Sequence, residues 1–184
     1  MVYTSPWLSF IVGTSVLITP SWAWSKESVC KRQAGIISCK QGSVGQIQAS
    51  GIVDVEQTTV EGACNIRGQY AIKKATLKAV NLYGNGSIRE THITGKTKVF
   101  GNLVAVASTF EQQCDIWSNT LNLEKVKMKN LHIHNNQSSE AVIVLGQGTV
   151  IDGNLVFEDS PGIVKVHNRD QIKGEIINGS MVNV

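Results

Sequence analysis

Hydrophobic residues recur along most of this chain in a fixed series of steps. Counted from Gly51, five apolar or small side chains stand 2, 4, 9, 13 and 15 positions further on: Val53, Val55, Val60, Cys64 and Ile66. Counted from Gly101, the same offsets hold Leu103, Ala105, Phe110, Cys114 and Ile116. Steps of two are the period of a β-strand, whereas steps of four and five indicate corners. The pattern therefore predicts three short strands per repeating unit, each with one buried side.

Each unit starts at a turn-forming residue, and these residues form a series: Gly51, Gly68, Gly84, Gly101, Asn119, Asn136, Gly153 and Asp170. Consecutive members stand 16 to 18 positions apart. A unit this short cannot bury a core alone, so each copy must stack on the next. We therefore predict an all-β, single-domain parallel β-helix (β-solenoid) over residues 51–184, with about seven triangular coils that repeat about every 4.8 Å.

Composition agrees with a narrow aliphatic core, because 42% of the residues are hydrophobic but only 6% are aromatic. The chain has only 3 prolines, as expected where nearly every amide joins a ladder. The net charge of +3 is scattered rather than clustered, which argues against nucleic-acid binding. Lys125, Lys127 and Lys129 alternate with Val126 and Met128, and we interpret these lysines as a solvated face.

The first 23 residues have the pattern of a secretory signal peptide. A mostly apolar run from Trp7 to Ile18 is too short to span a bilayer, and Ser21 and Ala23 suit cleavage after Ala23. No Lys or Arg precedes the run, so an uncleaved anchor and an internal strand stay open as alternatives. We expect residues 1–23 to be removed, and a periplasmic or extracellular protein with no stable membrane span.

The four cysteines fall into two pairs with different expectations. Cys30 and Cys39 flank Gly35 in the N-terminal segment 24–50, and export would place them where disulfides persist. We predict that these two form a disulfide in a hairpin or loop that caps the first coil. Cys64 and Cys114 share one inward column but lie three coils apart, about 14 Å, which is too far for a bridge. We predict that they are buried thiols.

Candidate chemistry is sparse. His132 and His134 lie on one side of a predicted strand, an arrangement that can chelate zinc, but no third ligand stands at a matching offset. Glu158 and Asp159 are adjacent and would point in opposite directions on a strand, while Asp152 and Asp170 lie beside corners, where carboxylates usually cap amides. We predict no catalytic, cofactor-binding or metal-binding residues, and hence no enzyme.

One stretch resembles a known family. Val99-Phe100-Gly101-Asn102-Leu103-Val104-Ala105 has the Val-x-Gly-x-Ile-x-Ala cadence of bactofilins, which are bacterial polymer-forming β-helix proteins, and Ile172-Lys173-Gly174-Glu175-Ile176 is a fainter copy. The resemblance rests on period and cadence over residues 51 to about 177. It implies a right-handed helix, association through coil ends and no enzymatic site. The left-handed hexapeptide-repeat acyltransferases are an alternative, because Val60, Ile66 and Ile72 step by six, but that rhythm fails before Ile88.

The sequence thus favours a non-enzymatic structural or scaffolding protein of the bacterial envelope or extracellular space. Its expected partners are other proteins, through self-association or an envelope complex, joined at coil ends or faces. One alternative is a glycan- or surface-binding solenoid, for which Tyr83 and Trp117, near one corner, are the hint of an aromatic ladder. A polysaccharide-active β-helix enzyme is the other alternative, and it would need clustered carboxylates and a base.

Overall fold

A computed structural model describes residues 29–118, 120–135 and 140–184 of the chain. The predicted signal peptide lies outside the described residues. The described elements, in chain order, are β1 (Cys30–Gln33), β2 (Ile36–Val44), β3 (Ile47–Lys73), β4 (Thr76–Arg89), β5 (His92–Ile93), β6 (Thr97–Phe100), β7 (Leu103–Val106), β8 (Thr109–Trp117), β9 (Thr120–Glu124), β10 (Lys127–His134), β11 (Ala141–Leu145), β12 (Val150–Ile151), β13 (Leu155–Phe157), β14 (Gly162–Val166), a 3-10 turn (Arg169–Gln171), β15 (Ile176–Ile177) and β16 (Gly179–Asn183). Within these ranges, no helix has the length and apolar character that crossing a bilayer requires.

The strands wind into a parallel β-solenoid of about eight turns of about 17 residues, which confirms the predicted all-β solenoid fold. Among the described pairings, only β1 and β2 run antiparallel. The prediction of seven coils was one too few, because the parallel ladder begins at Ile36, which pairs with Ile52. Residues 36–50 therefore belong largely to the first coil, and only β1 and its turn stand outside it.

Side chains of successive coils stack into columns inside the solenoid. All ten residues of the two predicted sets are buried, from Val53 and Val55 in the first to Cys114 and Ile116 in the second. One inner column passes from Tyr70 to Gly86, Leu103 and Leu121 along the paired strands. Register is strongly fixed by this burial, because a slip by one residue would turn the column outward.

Two of the corners that join the strands have a residue with positive φ. At the first, Gly51, Gly68, Gly84 and Gly101 have φ between +108° and +132°, and a Cβ on Gly84 would overlap the Gly68 carbonyl group. The second corner has a non-glycine residue with φ near +50° in each of six coils: Gln41, Gln57, Lys74, Glu90, Ala107 and Lys125. A small buried residue often follows, as where the Thr91 hydroxyl donates to the Arg89 carbonyl at 2.8 Å. This corner lies in the predicted step of five between Val55 and Val60, although the hydrophobic pattern did not indicate its positive φ.

The coils lengthen toward the C-terminus, and the corners predicted at Gly153 and Asp170 are consequently wrong. Asp170 lies in the 3-10 turn, and the following Ile172 bridges to Ile151. Leu121 pairs with Ile143, a step of 143 − 121 = 22 residues, and Ile143 pairs with Val164, a step of 164 − 143 = 21. Gly153 therefore lies over the backbone of Lys129, at a different corner from Gly101. The predicted anchors Asn119 and Asn136 lie outside the described residues.

Candidate functional site: a ring column and the two coil ends

A continuous column of flat side chains runs along one outer face of the solenoid. Tyr83 stacks on Phe100 with ring centroids 4.6 Å apart, Phe100 on Trp117 at 4.1 Å, and Trp117 on the imidazole of His134 at 4.2 Å, all within 11° of parallel. The guanidinium carbon of Arg67 lies 5.3 Å from the Tyr83 centroid, at the N-terminal end of the column. We call these five residues the ring column.

The ladder register builds this column. Arg67 pairs with Tyr83, Tyr83 with Phe100, Phe100 with Trp117, and Trp117 with His134, so each coil contributes one outward residue at the same height. The sequence had indicated only Tyr83 and Trp117. Phe100 and His134 were missed, although spacings of 17 residues from Tyr83 to Phe100 and from Phe100 to Trp117 were a readable signal.

The geometry limits what the ring column can bind. Both faces of Phe100 and of Trp117 are covered by the neighbouring rings, so these two side chains present only their edges to solvent. Offset or parallel ring pairs contribute about 0.5–1.5 kcal/mol each beyond the area they bury. The column therefore stabilises the stacking of coils directly. A sugar ring would find no open face on the two central aromatics.

The two histidines of β10 meet carboxylates from neighbouring coils. The Nδ1 atom of His132 lies 2.6 Å from a Glu158 carboxylate oxygen. The ring of His134 lies between Asp115 and Asp159, with N–O distances of 3.8 and 3.9 Å. The expectation that Glu158 and Asp159 diverge was wrong, because β13 ends at Phe157 and both carboxylates lie in the following loop. This cluster joins three coils through polar contacts.

Other predicted site residues are dispersed. His92 pairs with Glu111 at 3.0 Å, and the described residues contain no group of three or more His, Cys, Asp or Glu side chains that could hold a metal ion. The Asp152 carboxylate contacts the Lys173 ammonium at 2.6 Å, and within the described part of the chain it accepts no hydrogen bond from a backbone amide. This hydrogen bond lowers the pKa of Asp152, although slight burial opposes it. Asp170 lies in the 3-10 turn, where its amide donates to the Asn168 side chain.

The thiols and two of the three lysines behave as the pattern predicts, but Lys125 lies at the corner between β9 and β10 rather than on the strand of Lys127 and Lys129. Cys64 and Cys114 are free and fully buried, and burial raises the pKa of Cys64 to about 12. Burial also raises the pKa of Cys114, with a further contribution from the adjacent Asp115 charge. Both sulfurs are therefore protonated and poor nucleophiles at neutral pH. Lys127 and Lys129 are exposed on the side of β10 opposite the buried Met128.

A hairpin covers one side of the N-terminal end of the solenoid. The strand β1 pairs antiparallel with residues 36–39 of β2, and Cys30 and Cys39 form the predicted disulfide across this pair. The hairpin extends by one more bond, from the Lys40 amide to the Val29 carbonyl at 3.0 Å. Cys39 is fully buried at the top of an inner column, and Cys30 packs against the core.

The C-terminal end of the solenoid has no such covering strand among the described residues. The last coil contains β15 and β16, which pair on one side with β13 and β14 and on the other side with no described strand. Residues 176–184 carry no charged side chain. Three of their large hydrophobic residues are exposed, namely Ile177 at 42%, Val182 at 44% and Val184 at 61%. An uncharged edge with exposed apolar residues is the form of edge that pairs readily with another chain.

In comparisons with known proteins, no family model, curated protein or solved structure matches the chain.

Proposed function

We propose that this chain is an exported, non-enzymatic structural protein of the bacterial cell envelope or extracellular space, which joins a larger assembly through the ends of its solenoid. The observation that carries the proposal is the last coil, whose outer edge is unpaired among the described strands and carries apolar residues without charges. Proteins usually protect such edges with lysines, prolines, bulges or a covering segment. An interface is the physical reason to leave this one bare.

The distribution of exposed hydrophobic residues supports joining at the ends. Of the eight large hydrophobic side chains that are exposed in the described residues, three belong to the last coil, and Ile36 and Ile52 belong to the first two coils. Isolated exposed residues are normal on a protein surface, but contiguous ones indicate contact sites. Stacking one coil end on a partner would bury these residues and extend the hydrogen-bonded ladder.

The polar groups of the outer faces support a structural rather than a catalytic role. His132 and His134 contact carboxylates, and the rings between Tyr83 and His134 cover one another. The disulfide at the N-terminal end fits an oxidising compartment and so supports export. The resemblance to the bactofilin cadence points the same way, since those proteins associate through β-helix ends.

Sedimentation velocity of the oxidised full chain over a wide concentration range tests the proposal. We expect association that Val182→Lys weakens strongly, because lysine would place a charge in the edge contact. Val142→Lys is the matched control, since Val142 is 36% exposed in β11, away from both ends. A monomer at all concentrations that also captures no envelope partner would refute the proposal. Equal loss in both variants would refute joining at the ends.

A further inference from the structure

Part of the N-terminal edge of the solenoid is covered by the short strand β1. In β1, Lys31, Arg32 and Gln33 are exposed, and Cys30 packs against the core. Four residues of β1 pair with β2, and the covalent bond between Cys30 and the buried Cys39 is added to these ladder contacts.

The strand beneath β1 matches the other end of the molecule. Both β2 and β16 belong to parallel ladders, β2 at the first coil and β16 at the last. Each strand directs one hydrophobic side chain toward the core, Ile37 in β2 and Met181 in β16. Next to it in the sequence, each strand has an exposed apolar residue, Ile36 at 43% in β2 and Val182 at 44% in β16. The outer edge of β2 would therefore accept the last coil of a second copy and continue the ladder in the same direction. While β1 is paired with residues 36–39, that edge is occupied.

We propose that the Cys30–Cys39 disulfide is a latch that controls head-to-tail association of this chain. With the disulfide intact, β1 covers residues 36–39 of the first coil, and a second copy can extend that side of the ladder only at the C-terminal end. When the disulfide is reduced, β1 detaches and the uncovered edge of β2 takes the last coil of a second copy as its partner. The inference rests on the proposed function in one respect, because it uses the same last coil as an interface.

The chemistry requires a dithiol reductant and balances as thiol–disulfide exchange. One thiolate of the reductant attacks the sulfur of Cys30, which is half-buried, whereas Cys39 is fully buried. This forms a mixed disulfide and releases the Cys39 thiolate, which takes a proton. The second thiol of the reductant then attacks the reductant's own sulfur in the mixed disulfide and releases the Cys30 thiol. Two electrons pass to the protein disulfide, and the reductant becomes a cyclic disulfide.

The oxidised and the reduced protein should form different assemblies. A molecule with one free end can form only a closed pair through that end, whereas two complementary free ends permit open-ended growth. Reduction should therefore convert a small, limited assembly into a distribution of longer ones. The free thiols Cys64 and Cys114 play no part, since both are buried in the core three coils apart.

The test compares the full chain before and after treatment with dithiothreitol, with thiol labelling to show that the disulfide is open. Val182→Lys keeps the chain from growing, so hydrogen exchange is measured in that variant. After reduction, the amides of residues 36–39 that bond to β1 should exchange at least tenfold faster, while exchange in the mid-solenoid strand Leu103–Val106 stays unchanged. Without this substitution, sedimentation should show growth beyond the oxidised size. Cys30→Ser should reproduce the growth without reductant, and Cys30→Ser combined with Val182→Lys should reproduce the faster exchange.

Three results would overturn the latch. Unchanged exchange at residues 36–39 in labelled Val182→Lys protein would show that β1 does not depend on the disulfide. Equally accelerated exchange in Leu103–Val106 would show that reduction unfolds the solenoid rather than detaching β1. No growth after reduction of the chain without Val182→Lys, when its oxidised form associates through the last coil, would show that β2 is not a docking edge. Because the exchange is measured in a variant that does not grow, it separates failure of the latch from failure of the proposed function.

Discussion

The stacked glycine corner makes a quantitative prediction about Gly84. Its φ is +132°, and an added Cβ would overlap the carbonyl group of Gly68 in the previous coil. A side chain in such a backbone conformation costs about 1–3 kcal/mol. Forcing an extra methyl group into a packed site costs about 1–3 kcal/mol more. We therefore expect Gly84→Ala to lower the free energy of unfolding by about 2–6 kcal/mol, the sum of these two terms.

Two further glycines separate these two costs. Gly35 has φ +79°, but no atom lies within 4 Å of the position that a Cβ would take, so Gly35→Ala should lose only the backbone term, about 1–2 kcal/mol. Gly45 has neither a positive φ nor a close neighbour, so Gly45→Ala should be neutral or gain about 0.4–1 kcal/mol.

Urea unfolding followed by far-ultraviolet circular dichroism measures all three variants. Solenoids can unfold in segments, so the variants should be compared by the transition that contains each site. The order of stability should be Gly45→Ala, then Gly35→Ala, then Gly84→Ala. A Gly84→Ala variant as stable as Gly35→Ala would refute the reasoning, because it would show that the close approach to Gly68 costs nothing.

Three other changes are predicted. Thr97 is fully buried and its hydroxyl has no hydrogen-bond partner among the described residues, so Thr97→Val should raise the unfolding free energy by about 1–3 kcal/mol, and a lower free energy in urea unfolding would contradict this. Phe100→Ala removes two ring contacts and should cost at least about 1–3 kcal/mol by the same assay, whereas an unchanged midpoint would show that the ring column is not stabilising. The Asp152 carboxylate has a lowered pKa, so the stability it contributes is present above its unfolded pKa of about 3.9 and is lost as pH falls through the folded value. Carboxyl titration by NMR should show this low midpoint, and Lys173→Met should raise it; an unmoved midpoint would exclude the ion pair as the cause.

The repeating part of the fold was predictable because a solenoid repeats its local constraints. Val53, Val55 and their counterparts from Leu103 to Ile116 alternate with a strand period, and one register alone places them all inside. The disulfide was predictable for a related reason, since Cys30 and Cys39 flank a turn glycine while Cys64 and Cys114 are separated by whole coils.

The errors arose where the chain departs from its period. Gly153 continues the 17-residue spacing in the sequence, yet two longer coils before and around it move it to another corner. Glu158 and Asp159 diverge only if the strand continues, and it ends at Phe157. Loop length and strand ends depend on how each coil meets its neighbours, so the hydrophobic pattern does not contain them.

The sequence by itself determined the period, the inward columns, the buried thiols and the disulfide, because each of these follows from local alternation or from distance along the chain. The tertiary structure decided which outward residues meet. The column from Arg67 to His134 and the contact of His132 with Glu158 join residues 16 to 26 positions apart, and their alignment depends on the accumulated lengths of the coils between them. The structure also decided that β1 pairs with the first coil while no described strand pairs with the outer edge of the last one, since pairing at an edge is a property of the assembled ladder rather than of any single strand.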